Sequence, residues 1–230
     1  MAHQDDDLDP ETQQRRDFLL RMLALGAFAG STNLRADTGI IIASRSIHLL
    51  EGAVFVNGIK ATIDTPISAK DRIKTGRNGR IVFSVGHDAF ILRNNSELDL
   101  SNDGLLIGGL RLLTGKMLAV FGKSKHQIIT STATIGIRGT GVYAEVEPDL
   151  TYFCTCYGET EISSVANPNN VANIAATHHD APKYISQTGE ISAAPFINHT
   201  DEELALIESL VGRNTPFAAF DDDYSGPKKY

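Results

Sequence analysis

The sequence predicts an all-β protein: a compact domain of many short strands, followed by a short C-terminal helix. Three observations carry that prediction. Apolar runs rich in Val, Ile and Phe recur about every ten residues between positions 40 and 165. Glycine and asparagine punctuate them, as strand-joining turns require. Long 3.6-residue periodicity is absent from this stretch, and no strict repeat length emerges, which disfavours a propeller or a simple repeat array.

The elements follow in order. "AVFVNGIKATI" (53–63) contains Asn57-Gly58, a strong hairpin signal because both residues accept the positive φ of a tight type I′ turn. "RIVFSV" (80–85) and "AFILR" (89–93) are split by Gly86-His87-Asp88, and "SELDLS" (96–101) alternates like a half-buried strand. "KMLAVF" (116–121), "HQIIT" (126–130), "GVYAEVE" (141–147) and "TYFCTCY" (151–157) continue the series. Within "STATIGIRGTGVY", Gly136, Gly139 and Gly141 predict a sharp turn between strands at Arg138-Gly139-Thr140. Arg138 would brace that turn by donating to exposed carbonyls; a ligand anion is the functional alternative. Residues 166–230 read as a C-terminal extension. Thr200-Asp201-Glu202-Glu203 is a capping box opening a helix at about 201–211, with Leu204, Ile207, Leu210 and Val211 as its apolar stripe and Gly212 as its stop. The acidic tail "DDDYSGPKKY" is expected to be disordered.

The start of the chain reads differently. In "QQRRDFLLRMLALGAFAG" (13–30) two arginines precede a short apolar run and then small residues. A bilayer span needs roughly 20 apolar residues, and Arg21 interrupts this run. A first helix of the folded domain, with Phe18, Leu19, Met22 and Leu25 on one face, is one alternative. The preferred reading is an export signal over residues 1–29, ending in the A-x-A pattern Ala27-Phe28-Ala29. Arg15-Arg16-Asp17-Phe18-Leu19 resembles the twin-arginine signal, which implies a bacterial protein exported folded, to the periplasm or beyond. The acids Asp5, Asp6, Asp7, Asp9 and Glu11 are unusual for such a leader.

Composition limits what is exported. The 230 residues are 42% hydrophobic and 21% charged, with a formal net charge of −7. Without residues 1–29, 18 basic and 22 acidic side chains remain, with no block of lysine or arginine, so nucleic acid is excluded as a partner. "LLIGGLRLL" (105–113) is too short to cross a bilayer and contains Arg111, so the mature form is expected not to span a membrane. Nucleotide-binding glycine loops and G-x-S-x-G nucleophile motifs are absent, and nothing argues for an enzyme.

The order "EGAVFVNG", "AKDRIKTGRNGRIVFSVGHDAFILRNNSELDLS", "LRLLTGKMLAVFG" and "QIITSTATIGIRGTGVYAEV" resembles the FecR-type domain of bacterial periplasmic sensors over about residues 45–165. Its most specific pieces are Ile73-Lys74-Thr75-Gly76 with Gly79-Arg80, and Ile137-Arg138-Gly139-Thr140. The resemblance implies a compact all-β fold. In full-length sensors of the family the domain receives a signal from an outer-membrane receptor and relays it to a sigma-factor regulator. This chain departs from that plan: about fifteen residues precede the apolar run, too few for a cytoplasmic regulator, and Gly86-His87-Asp88 replaces the usual Asp-Gly-Ser hairpin. Sigma-factor signalling therefore does not follow from the resemblance.

One cluster rises above this background. Cys154 and Cys156 stand two apart on a predicted strand, so both thiols share a face. "THHDAPKY" then supplies His178 and His179. Two thiols and two imidazoles suit zinc or copper, with His178 the preferred third ligand and His179 the fourth. Packing of two buried cysteines and a strained Cys154–Cys156 disulfide are the competing readings. The functional expectation is an exported, non-enzymatic binding or sensing module of the cell envelope, with an unidentified envelope protein or ligand as its partner. A metal-binding or redox-active periplasmic protein is the alternative. Recognition of wall glycan is a third class, disfavoured because tryptophan is absent.

Overall fold

Three long strands form the spine of the fold: β8 (Gly109–Val120), β10 (Ala133–Val146) and β11 (Leu150–Ser164). The computed structural model describes residues 45–100 and 109–217. The twin-arginine-like segment, with Arg15, Arg16, Phe18 and Leu19, and the acidic tail lie outside those residues. Among the described residues fourteen strands make one sheet, antiparallel except where β8 meets β9 (Lys125–Ile129).

The predicted hairpin is present. β2 (Val54–Val56) pairs with β3 (Ile59–Lys60) through Asn57 at φ 52 and Gly58 at φ 79, so both central residues take the conformation the dipeptide favours. Asp71 holds the hairpin from beside it, accepting from Asn57 Nδ2 at 2.7 Å. β5 (Arg80–Val85), β6 (Asp88–Leu92) and β7 (Glu97–Asp99) match the predicted runs closely, and β4 (Arg72–Thr75) is a further strand outside those runs. Strand pairing continues beyond residue 165, because the outer edge of β11 needs partners. β12 (Val171–Ala176) takes Gly158–Ser163, and β13 (Lys183–Ser186), itself paired with β14 (Ile191–Ala193), takes Leu150–Phe153. Between those two stretches the edge of β11 from Cys154 to Tyr157 has no strand beside it.

The Arg138-Gly139-Thr140 segment corrects the sequence reading. It is not a turn between strands but an irregularity inside β10, where the register shifts between Arg138 and Gly141. Before it, Thr134–Arg138 pair with β9; after it, Gly141–Val146 pair with β8. A strand that exchanges one neighbour for another must be re-aimed, and a bulge with Gly139 at φ 60 does this. Arg138 is exposed and enters none of the hydrogen bonds that would brace a turn.

The central strands are buried on both faces. Phe83, Phe90, Leu92, Met117, Ala119, Val142 and Phe153 belong to the main core. Their neighbours one position along, Val82, Ile91, Leu118, Val120, Tyr143 and Cys154, are equally buried but stand outside that cluster. Alternation puts them on the opposite face, and helix α1 (Asp201–Leu210) lies there, against β6 and β8. Runs such as "AFIL" and "MLAVF" are apolar without interruption because the sheet needs a cover on each side.

That cover is made locally. Thr200 is the N-cap: its hydroxyl accepts from Glu203 N at 3.3 Å, while Thr200 N donates to the Glu203 carboxylate at 3.2 Å. The helix ends at Leu210, with Gly212 at φ 71 just beyond. Leu204, Leu206 and Ile207 are buried, whereas Leu210, predicted in the stripe, is only half-buried. Charge completes the docking. Glu203, 1% exposed, meets Arg80 at 3.2 Å and Arg93 at 3.0 Å. A ten-residue helix is marginal alone in water, so this seat is what stabilises it.

Candidate metal centre

The site occupies the strandless part of the β11 edge. Cys154 and Cys156 point to the second face of the sheet, both fully buried and both free thiols. The connection from β12 to β13 closes the gap. There Asp180 accepts from Thr177 N at 2.7 Å and His178 N at 3.1 Å, and His179, at φ 53, donates its backbone N–H to Cys156 O at 2.9 Å. His179, in the left-handed conformation, turns its ring inward to burial, while the His178 ring, 5.0 Å away between centroids, stays half-buried at the rim. The other side is closed by the segment entering α1. His199, directly before the N-cap, stacks on Tyr143 with ring centroids 4.4 Å apart.

These elements bring together Cys154, Cys156, His179 and His199, whose ligand atoms all lie within 4.8 Å of one another. Cys154 Sγ is 3.6 Å from His179 Nδ1, Cys156 Sγ is 3.4 Å from His199 Nε2, and the two nitrogens are 3.1 Å apart. A tetrahedral ion with metal–sulfur bonds of about 2.3 Å and metal–nitrogen bonds of about 2.0–2.1 Å has sulfur–nitrogen edges of about 3.5 Å and nitrogen–nitrogen edges of about 3.3 Å. The cluster therefore has the size of one coordination shell. Both rings are also oriented from outside. His179 Nε2 donates to Asp201 Oδ1 at 2.9 Å, and His199 Nδ1 donates to the Ile197 carbonyl at 2.7 Å. Such outward bonds leave the inner nitrogens, Nδ1 of His179 and Nε2 of His199, as the donor atoms for a metal.

The electrostatics agree. Burial opposes a charge on Cys154, but hydrogen bonds from Cys156, His179 and His199 outweigh it and hold the thiol well below the ordinary range. Burial and the neighbouring Cys154 push Cys156 well above it. Burial would lower the pKa of His179, yet its bonds to Asp201 and Cys154 raise it. Asp201, which burial alone would keep protonated longer, is lowered by its bonds to His179 and His178. The surroundings thus favour the charged form of Cys154 beside a more basic His179, and a metal ion would compete with protons for both atoms.

Of the four residues that the sequence groups as metal candidates, Cys154, Cys156 and His179 lie in this cluster and His178 lies beside it. His178 Nε2 bonds the other Asp201 oxygen, Oδ2, at 2.7 Å, outside the four-atom cluster. Sequence spacing does not reveal His199, which lies 43 positions from Cys156; its only local mark is its place before the capping box. Cys154, His179 and Asp201 also line up as nucleophile, base and orienting acid do in some hydrolases. With Cys154 at 0% exposure, no substrate can approach the sulfur.

No protein-family model matches the chain, and no curated protein does either. Among solved structures, two crystal structures of a candidate anti-sigma factor from Parabacteroides distasonis are similar to it. One matches at 12% identity with a TM-score of 0.44, the other at 13% with 0.45, each over 54% of this chain. The chain spans 58% of the length of those proteins. At that score and identity the likeness carries no argument about what this chain binds.

Proposed function

We propose that the chain is an exported, non-enzymatic module of the bacterial envelope in which one zinc ion, held by Cys154, Cys156, His179 and His199, clasps the C-terminal segment to the β domain. The observation that carries this reading is the spacing of the four inward atoms, which is that of a single tetrahedral shell. Two thiolates with two imidazoles in a closed, dry site suit structural zinc better than the open or trigonal geometry of electron-transfer copper. The clasp has a mechanical sense, because His199 immediately precedes the helix that covers the second face of the sheet.

The FecR-like order of the strands supports a binding or sensing role, and the twin-arginine-like leader supports export after folding, so that metal could be fitted in the reducing cytoplasm. The decisive measurement is the metal content of protein purified anaerobically. About one zinc per chain is expected, lost in Cys154→Ser and in His199→Ala. No metal in the parent protein, even after reconstitution, would return the cluster to simple packing; a copper content would reassign the ion. Export is tested separately: replacing Arg15 and Arg16 by lysine should leave an uncleaved precursor in the cytoplasm, and continued periplasmic accumulation would sink that part.

A further inference from the structure

A cleft of about 870 Å³ opens where β10 exchanges partners. β8 ends at Val120, the bulge places Gly139 at the opening, and the Gly122-Lys123-Ser124 turn forms one rim. Phe121 and Tyr157 supply aromatic walls, with Ala176 and Pro216 continuing the apolar lining. The volume falls within the range of about 300–1,000 Å³ in which proteins hold small organic molecules.

The charges are unevenly satisfied. Tyr157 donates its hydroxyl to Glu208, whose second oxygen accepts from Arg213 Nε at 2.6 Å. Arg213 Nη1 then donates to the His87 carbonyl at 2.6 Å. Glu208 and Arg213 therefore neutralise one another. Lys123, on the rim, is exposed and enters no ion pair among the described residues. One free ammonium beside an apolar, aromatic lining is a specific chemical request: an apolar body carrying a single acid group.

We infer that this cleft binds a small amphiphilic monoanion, such as an aryl or acyl carboxylate or sulfonate, with its head on Lys123 and its body against Phe121 and Tyr157. The occupant touches both arms that meet at the metal centre. Ala176 and Thr177 directly precede the His178-His179 turn, and Glu208 and Arg213 belong to the C-terminal segment. The inference stands apart from the metal, since none of the four cluster residues lines the cleft.

Two dyes with one aromatic body test it on the full chain as purified. Anilinonaphthalene sulfonate carries the acid, and N-phenylnaphthylamine lacks it. Saturable binding of the sulfonate, about tenfold tighter than of the neutral dye, is expected, a difference of about 1.4 kcal/mol. Lys123→Ala should erase that preference, and Ser124→Trp, which fills the opening, should abolish binding of both dyes. Zinc content and melting temperature of each variant verify that its fold is intact. Absence of saturable binding, equal affinity for the two dyes, or a preference that survives Lys123→Ala would overturn the assignment.

Discussion

Replacing His199 by alanine separates the tertiary reading of the metal centre from the sequence reading. In the structure, the ion would join His199 to His179 across 20 positions and to Cys156 across 43. Opening the shorter of those links releases a loop whose closure is worth about 3 kcal/mol by chain entropy. For a domain of this size each kcal/mol corresponds to about 2–4 °C, so His199→Ala, having lost its zinc, should melt about 6–12 °C below the zinc-loaded parent. His178→Ala is the control, because His178 stands outside the four-atom cluster, bonding Asp201 Oδ2 and packing its ring beside His179. It should keep its zinc and lose little stability. Melting followed by circular dichroism, with zinc counted by a chromogenic chelator, reads both effects. If His199→Ala retains tightly bound zinc and melts with the parent, or if His178→Ala releases the metal, the ligand set is wrong.

Three further outcomes follow from named contacts. Asp201→Asn weakens the orientation of His179 without removing a ligand; chelator competition should show zinc affinity about 10–100-fold lower, and unchanged affinity would mean Asp201 does not orient the ring. At Gly139 an added Cβ meets no atom nearer than 3.7 Å but the residue must adopt φ 60, so in Gly139→Val urea denaturation should show a loss of about 1–3 kcal/mol, chiefly from backbone strain. An unaltered midpoint would mean that the bulge is slack. Glu203→Gln withdraws the carboxylate shared by Arg80 and Arg93 beneath α1 and should cost about 3–5 kcal/mol. Amide exchange should then rise in residues 201–210 before it rises in the sheet, and uniform exchange would contradict a locally docked helix.

The sequence by itself determined what depends on near neighbours. Asn57-Gly58 specifies its hairpin because positive φ is a property of two adjacent residues. Thr200 and Glu203 specify the helix start because the capping box closes over three positions, and Cys154 and Cys156 share a face because strands alternate. The tertiary structure decided what depends on closure over long distances. Gly136, Gly139 and Gly141 look like a turn in the sequence, yet the strand continues and bulges, since only the arrangement of β8 and β9 shows that β10 must serve both. The uninterrupted apolar runs acquire their meaning only when α1 is seen on the second face. Above all, the sequence ranks His178 ahead of His179, while the structure, with His179 in the left-handed conformation, buries the His179 ring and leaves His178 at the rim. His199 enters the site from the far end of a path that local periodicity does not encode, because its position is set by the docking of the helix behind it.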